Sequence, residues 1–340
     1  MGELRRSGGR LHGIRITRDS KIWTWHPVNL GGEVWAHFVS IFRNEDRVVV
    51  CPSQFEISDA ARMIHPGKRG HRIVAVLQFK FDESYDSQIM TVGGWIGEEL
   101  EWKRLESTWQ KRVEFENLHS PDNQKITRYH ATEMNCKGGE YKNWDKERCL
   151  LFSQKLIHML SKRRMAALAV ACDMDAIREV FPKGDPAELK RRTYTLCFKA
   201  LMVDIAHIMQ TYFRGDTVVL IHDKNWSTET LAAYNLMIEE AGRDPDRVWG
   251  KRALFEGLFV KTGQDAIGLQ AADMFAYETF KGVKAKTNNP EAAMRGAAQE
   301  MLNKQIPMVA RWINLPSAKA MYRIMEESGM YSDLDSKGIC

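Results

Sequence analysis

The chain has 340 residues, of which 44% are hydrophobic and 27% are charged, and its formal net charge is +5. This composition is typical of a globular protein and excludes disorder throughout. No apolar run approaches the roughly 20 residues of a membrane helix, and the N-terminus lacks the apolar core of a secretory signal, so we expect no membrane association and a cytoplasmic location. The six cysteines include no C-x-x-C pair, which argues against a cysteine-based zinc site.

The chain divides into three predicted parts. Residues 1–70 carry isolated tryptophans and short apolar stretches and end in a basic, glycine-containing segment. This predicts an N-terminal extension that is either a small appendage or partly disordered. Residues 71–285 show the regular apolar patterns of a folded domain, and residues 286–340 are predicted to form a helical segment packed on it.

The folded part begins with a predicted hairpin and a helix. Residues 73–81 and 89–96 are apolar runs separated by a short polar break, which predicts two buried strands. Residues 98–116 have helical spacing. The predicted inner face of this helix consists of Leu100, Leu105, Trp109 and Val113.

The next predicted elements are a strand and a second helix. Residues 127–134 are interpreted as a strand that contains His130. Residues 145–162 are predicted to be helical. The apolar stripe of this helix consists of Leu150, Leu151, Leu156, Ile157 and Leu160.

From residue 165 onward, strand and helix patterns alternate. Strands are predicted at residues 165–172, 217–221 and 253–260, and helices at residues 188–213, 227–241 and 266–281, followed by one or two surface helices. A hairpin followed by alternation predicts an α/β protein with a mixed sheet flanked by helices. Open sheets of this kind bind ligands at the carboxyl ends of their strands.

Three of the predicted strands end at or next to an aspartate, at Asp82, Asp173 and Asp223. A cap or a turn explains Asp173 on its own, and Asp223 could simply begin a turn. Asp273 is more informative because it lies inside the helix predicted at 266–281, on the same face as Leu269, Ala276 and Tyr277. A carboxylate on that buried face must be neutral, paired with a cationic or tyrosine side chain, or bound to a cation.

A metal shared by Asp82, Asp223 and Asp273 would explain this placement, and oxygen ligands favour Mg²⁺ or Mn²⁺. Glu83 follows Asp82, and strand alternation directs the two side chains to opposite faces, so Glu83 contributes only if the strand ends or bulges there. Glu133 is the other candidate for a fourth carboxylate. His130 could protonate a leaving group or be a structural histidine, and Ser84 could bind a ligand or close a turn.

Four motifs together resemble the family called domain of unknown function 3800, which is similar to ribonuclease H-like metal nucleases. They are Asp82-Glu83-Ser84 after an apolar strand, the block YHATEM at 129–134, Asp223 after an apolar run, and GLQAADMFAY at 268–277. The resemblance covers residues 73–284 and implies a ribonuclease H-like fold. The acidic site that it implies consists of Asp82, Glu83, Asp223 and Asp273, with His130, Glu133 and Gln270 around it. The chain departs from the family at Tyr85, where glycine is usual.

The function expected from these features is metal-dependent hydrolysis of nucleic-acid phosphodiesters, with two ions held by carboxylates. DNA and RNA are not distinguished, and the sequence gives no signal of oligomeric state. Trp95, Trp102, Trp109 and Trp226 are candidates for stacking on single-stranded bases, although most are expected in the core. Two alternatives are a non-catalytic module that binds nucleic acid or protein, and a phosphoesterase for small substrates.

Overall fold

A computed structural model describes residues 47–48, 76–181, 185–213, 216–243, 255–261, 267–289, 291–293 and 295–327. The predicted N-terminal extension at residues 1–70 lies outside these ranges apart from Arg47 and Val48. None of the described helices is long and apolar enough to cross a membrane.

The described strands form one mixed sheet, six strands of which are longer than two residues. They are β1 (Arg47–Val48), β2 (Val76–Tyr85), β3 (Ile89–Glu98), β4 (Met165–Asp173), β5 (Thr217–Asp223), β6 (Phe255–Lys261) and β7 (Met308–Ile313), in the order β1-β7-β4-β3-β2-β5-β6. The central strands β2, β3 and β4 are antiparallel, whereas β5 lies parallel to β2, β6 parallel to β5 and β7 parallel to β4. The predicted hairpin is therefore confirmed.

Helices cover both faces of this sheet, which confirms the predicted α/β architecture. They are α1 (Glu99–Leu118), α2 (Ala131–Cys136), α3 (Lys146–Leu160), α4 (Met174–Val180), α5 (Pro186–Tyr212), α6 (Ser227–Arg243), α7 (Ile267–Asn288), α8 (Gly296–Asn303) and α9 (Leu315–Glu327). Asp145 and Asp185 cap α3 and α5 by accepting backbone N–H groups.

Each face of the sheet has its own apolar core. On one face, Phe81 packs against Phe198 of α5, with ring centroids 5.7 Å apart. On the other, Trp95 packs against Phe275 of α7 at 5.6 Å, and its indole N–H donates to the Ala271 carbonyl at 2.9 Å. Side chains alternate between the two faces along each strand, so the position of a residue in β2 or β5 decides which core it meets.

The structure corrects two predicted elements. Residues 127–134 do not form a strand; His130 is extended and precedes α2. The backbone N–H groups of Tyr129 and Ala131 donate to the side chains of Gln270 and Asp273 instead of to a neighbouring strand. The C-terminal part is not only helical, because β7 belongs to the sheet.

The predicted helix faces are correct except at their edges. In α1 the buried stripe contains Leu105, Trp109 and Val113 but begins at Trp102, and Leu100 is exposed. Two residues correspond to about 200° around a helix, which places Leu100 on the opposite side from Trp102. In α3 the predicted Leu156, Ile157 and Leu160 are buried, whereas Leu150 and Leu151 are exposed.

Candidate metal centre

Asp82 and Asp223 lie where the parallel pairing of two adjacent strands, β2 and β5, ends. The last pair in the ladder between β2 and β5 is Phe81 with His222, and each aspartate is the next residue of its strand. Phe81 and His222 share a face, with ring centroids 4.6 Å apart. Alternation therefore directs Asp82 and Asp223 to the opposite face, where Ile221 packs with Leu269 of α7.

Helix α7 follows β2 in the same direction and brings Asp273 towards Asp82. A Cβ on Gly268 would lie 2.5 Å from Lys80 Cδ, so the helix begins against Lys80. Further along, Lys284 pairs with Asp86 just after β2. The helical span from Gly268 to Lys284 is roughly 24 Å and the extended span from Lys80 to Asp86 is roughly 20 Å, so the two run side by side.

The carboxyl group of Asp82 is strongly perturbed. Its pKa is raised well above the ordinary value, first by burial, then by the negative charge of Glu83 and then by that of Asp273. The backbone N–H of Glu83 donates to Asp82 Oδ1 at 2.9 Å, which opposes the rise only weakly. Asp82 is therefore a partly buried acid whose charge interacts with those of Glu83 and Asp273.

Asp273 is perturbed in the same direction. Burial raises its pKa from 3.8 to about 6, and the charge of Glu83 adds to the rise. Three neighbours lower this pKa: His130, whose Nδ1 lies 3.7 Å from Oδ2, Ala131, whose backbone N–H donates to the same oxygen at 2.8 Å, and the charge of Arg128. Burial outweighs these partners, so the carboxyl group of Asp273 keeps its proton to a higher pH than an exposed aspartate does.

Glu83 joins Asp82 although β2 neither ends nor bulges there. The pairing of β2 with β3 runs without a register shift from Leu77 to Tyr85, so the strand end or bulge that the sequence required for a contribution from Glu83 is absent on this edge. The pairing with β5 does stop at Phe81, which opens that side of the strand. The Glu83 side chain is 9% exposed, and its Oε2 accepts no hydrogen bond from any described residue.

His222 is the third member of this group. Asp82, Glu83 and His222 each offer one ligand atom, and these three atoms all lie within 4.8 Å of one another. The His222 Nε2 atom lies 3.4 Å from Glu83 Oε2 and 3.1 Å from the Tyr194 hydroxyl, and Nδ1 lies 3.3 Å from the Thr230 hydroxyl. Sequence reasoning missed His222, and its only signal was its position one residue before Asp223.

No protein-family model matches the chain, and no curated protein or solved structure matches it. The proposed chemistry therefore rests on the geometry of the site.

Asp223 combines a structural role with its place at the strand end. Its side chain accepts the backbone N–H of Asn225 at 3.0 Å and so begins the short turn before α6. It is not one of the three residues that cluster within 4.8 Å in the described part of the chain. Asp173 is purely a cap in the described contacts, because it accepts the N–H groups of Asp175 and Ala176 at the start of α4.

The remaining predicted residues have separate contacts, and Glu133 is not among the acids brought together in the described part of the chain. Gln270 is buried, and its Oε1 accepts the Trp109 indole N–H at 3.0 Å and the Tyr129 N–H at 2.9 Å, so it anchors the segment that carries His130. Glu133 lies 3.9 Å from Arg128 and packs over Gly139. Ser84 is buried in β2, two residues beyond Asp82 and on the same face.

Proposed function

We propose that this protein hydrolyses phosphodiester bonds of nucleic acids with Mg²⁺ or Mn²⁺ ions bound by Asp82, Glu83 and Asp273, assisted by His222 and Asp223. The observation that carries the proposal is the close approach of two partly buried acids of β2, since Asp82, Glu83 and the neighbouring His222 each place a ligand atom within 4.8 Å of the others. Burial raises the pKa of Asp82 and of Asp273, and neighbouring charges add to it: those of Glu83 and Asp273 at Asp82, and that of Glu83 at Asp273.

Such a cluster is unfavourable without a cation. Each ionised carboxylate loses hydration when it is buried, and like charges repel one another. A bound divalent ion offsets both costs because it attracts every carboxylate. The donors fit this ion: Asp82 and Glu83 each place a carboxylate oxygen within 4.8 Å of the other and of a His222 nitrogen, and Glu83 Oε2 accepts no hydrogen bond in the described part of the chain. Asp273 on α7 lies outside this group of three but acts on Asp82 through its charge. Oxygen-rich ligand sets of this kind suit Mg²⁺ and Mn²⁺.

The sheet order supports a ribonuclease H-like fold, as the resemblance to the domain of unknown function 3800 implies. An antiparallel β2-β3-β4 unit is extended on the other side of β2 by the parallel strands β5 and β6. The acids occupy the carboxyl ends of β2 and β5 and the helix that packs beside them. Ligand sites in open α/β sheets lie at this edge.

Divalent ions in a site of this type activate a water nucleophile and stabilise the charge that develops on the attacking and leaving oxygens. The residues of the chain have separate tasks. Asp82, Glu83 and Asp273 bind the ions, and the pair of Tyr194 and Thr230 orients the His222 ring. His130 is about one-third exposed beside Asp273, where it is positioned to donate a proton to a leaving oxygen.

The test is divalent-dependent cleavage of labelled single- and double-stranded DNA and RNA, with Mg²⁺, Mn²⁺ or a chelator. Wild type is compared with Asp82→Asn, Asp273→Asn and the matched control Asp173→Asn, which removes a strand-end aspartate that serves as a cap. We expect the first two substitutions to reduce turnover by more than about 100-fold, since even residues that only orient metal ligands contribute about 10- to 100-fold. The control should retain turnover.

Three results would overturn the proposal. Cleavage that persists in chelator would exclude the metal, and equal loss in Asp173→Asn would point to misfolding rather than to the site. Binding of nucleic acid without cleavage in any divalent ion would favour a non-catalytic module, and hydrolysis restricted to small esters would favour a phosphoesterase.

A further inference from the structure

Two aromatic residues follow the strand-end acids at the same spacing. Tyr85 comes three residues after Asp82, and Trp226 comes three residues after Asp223. Their rings meet edge to face with centroids 5.7 Å apart. The aromatic pair therefore stands beside the candidate metal centre, at the same edge of the sheet.

The two rings have different surroundings. Trp226 is only 6% exposed and is stacked on Tyr194 at 4.5 Å, which ties it to the residue that contacts His222. Tyr85 is 41% exposed and is supported by Trp226 from the side. A supported aromatic ring that remains open to solvent is a surface on which a planar group can stack. The tryptophans considered for this role from sequence are all buried.

Lys190 of α5 adds a positive charge to this surface. Its ammonium group lies 3.8 Å from the Tyr85 ring centroid and 4.7 Å from that of Trp226, and it donates to the Tyr85 hydroxyl at 2.6 Å. A cation held by ring faces and one phenol is weakly bound at a half-exposed position, so a phosphate can draw it away. Tyr85 thus offers a surface for stacking, and Lys190 beside it can turn towards a phosphate.

We propose that Tyr85 and Lys190 form a subsite for one nucleotide next to the scissile phosphodiester, with its base stacked on Tyr85 and its phosphate on Lys190. The proposal rests on the nucleic-acid function proposed above and narrows it to substrates with an unpaired base at this position. A base inside a duplex has both faces covered by its neighbours and cannot stack on a protein ring without first leaving the helix. Single-stranded DNA or RNA is therefore the preferred substrate.

The test combines binding and cleavage. Binding of a fluorescent single-stranded oligonucleotide is followed by anisotropy in chelator, where cleavage is prevented, for DNA and for RNA of the same sequence and for the matching duplexes. Variants are Tyr85→Leu, Tyr85→Phe and Lys190→Met. The matched controls are Phe115→Leu and Lys103→Met, which change an exposed aromatic residue and an exposed lysine of α1.

We expect Tyr85→Leu to weaken single-strand binding by about tenfold or more, which is in the range measured for loss of one stacked base, whereas Tyr85→Phe should retain most of the affinity. Lys190→Met should weaken binding and reduce the slope of log affinity against log salt by about 0.7, as for one lost phosphate contact. In cleavage assays, the loss in Tyr85→Leu should be larger for single strands than for an abasic oligonucleotide of the same length, which offers phosphodiesters without planar bases.

The outcomes separate this inference from the proposed function. If wild type cleaves with divalent ions but Tyr85→Leu binds single strands as wild type does, the subsite is wrong and the nuclease stands. If wild type cleaves nothing but Tyr85→Leu and Lys190→Met lose single-strand binding, the subsite stands and the nuclease falls. Equal losses in the α1 controls, or equal losses for duplex and single strand, would also overturn the subsite.

Discussion

His222 and Glu83 meet across the boundary between β5 and β2, with Nε2 of the imidazole 3.4 Å from Oε2 of the carboxylate. Both residues lie on the α5 side of the sheet, whereas Asp82 is directed to the α7 side, yet one atom from each of the three lies within 4.8 Å of the others. The candidate metal centre is thus formed around Asp82 and Glu83 of β2 by side chains from both faces of the sheet. Its donor set contains a nitrogen as well as oxygens.

This mixed donor set predicts a preference for Mn²⁺ over Mg²⁺. Imidazole suits the softer first-row ions, whereas Mg²⁺ is bound mainly by oxygen. We expect Mn²⁺ to raise the melting temperature of the metal-free protein more than Mg²⁺ does at the same concentration. In His222→Asn this difference should shrink, because the nitrogen ligand is lost while the carboxylates remain. Differential scanning fluorimetry in both ions, after treatment with chelator, measures the effect.

His158→Asn is the control for this prediction, because His158 is exposed on α3. It should leave the difference between the two ions as in wild type. A wild-type protein that is stabilised equally by both ions would show that His222 is not a ligand.

We expect the loss of the Gln270 side-chain amide to lower the stability of the protein strongly. Its Oε1 accepts two buried donors, the Trp109 indole N–H and the Tyr129 backbone N–H. Gln270→Leu would leave both donors without this acceptor, at a cost of about 2–5 kcal/mol in the free energy of unfolding. Urea denaturation measures this loss, and amide hydrogen exchange should speed up at Tyr129 and Ala131 as the segment beside Asp273 loosens.

Gln110→Leu provides the comparison, since Gln110 is exposed on α1 and bonds only to Glu114 in the described contacts. This substitution should change the unfolding free energy by about 0.5 kcal/mol or less. Similar losses in the two variants would mean that Gln270 does not anchor the segment.

Local patterns predicted much of this architecture. The runs that became β2, β3, β4 and β5 are apolar along most of their length, as expected for strands covered on both faces. Helical periodicity placed Asp273 on the buried face of α7, and the raised pKa of its carboxyl group agrees with that burial. The strands and the buried face of α7 could be predicted because both patterns involve residues that are close in sequence.

The features that the sequence did not predict depend on contacts between residues that are far apart in sequence. β7 was missed because Arg311 interrupts its apolar pattern, and in the structure this buried residue pairs with Asp204 of α5. His222 became part of the candidate centre only through the parallel pairing of β5 with β2, which no local pattern reveals. The segment 127–134 was taken for a strand because its partners, Gln270 and Asp273, lie far away in sequence.

Position 94 in β3 requires glycine, because it lies directly beside the part of β2 that precedes Asp82. A Cβ at this position would lie 2.0 Å from the Lys80 carbonyl oxygen and 2.6 Å from Phe81 Cα. Both obstacles are backbone atoms of β2, which cannot move aside without disturbing the strand that carries Asp82. Gly94→Ala should therefore lower the unfolding free energy by about 3 kcal/mol or more, or prevent folding.

The matched substitution is Gly282→Ala in α7, where the added Cβ would meet nothing within 4 Å among the described residues. Because glycine is less favourable than alanine inside a helix, this variant should be stabilised by about 0.5–1 kcal/mol. Chemical denaturation of both variants tests the pair, and a Gly94→Ala protein as stable as wild type would refute the close packing of β2 on β3.

The raised pKa of Asp273 predicts how the stability of the metal-free protein depends on pH. In the unfolded chain this carboxyl group ionises near 3.8, whereas in the folded protein it does so at about 6. The folded state therefore holds the proton more tightly, and the contribution of Asp273 to stability falls between about pH 4 and pH 6 by up to about 3 kcal/mol. Asp273→Asn cannot ionise, so its stability relative to wild type should rise through this window and then level off. Urea denaturation in chelator at a series of pH values measures the difference. A difference that stays constant with pH would show that burial does not raise the pKa of Asp273 in the folded protein.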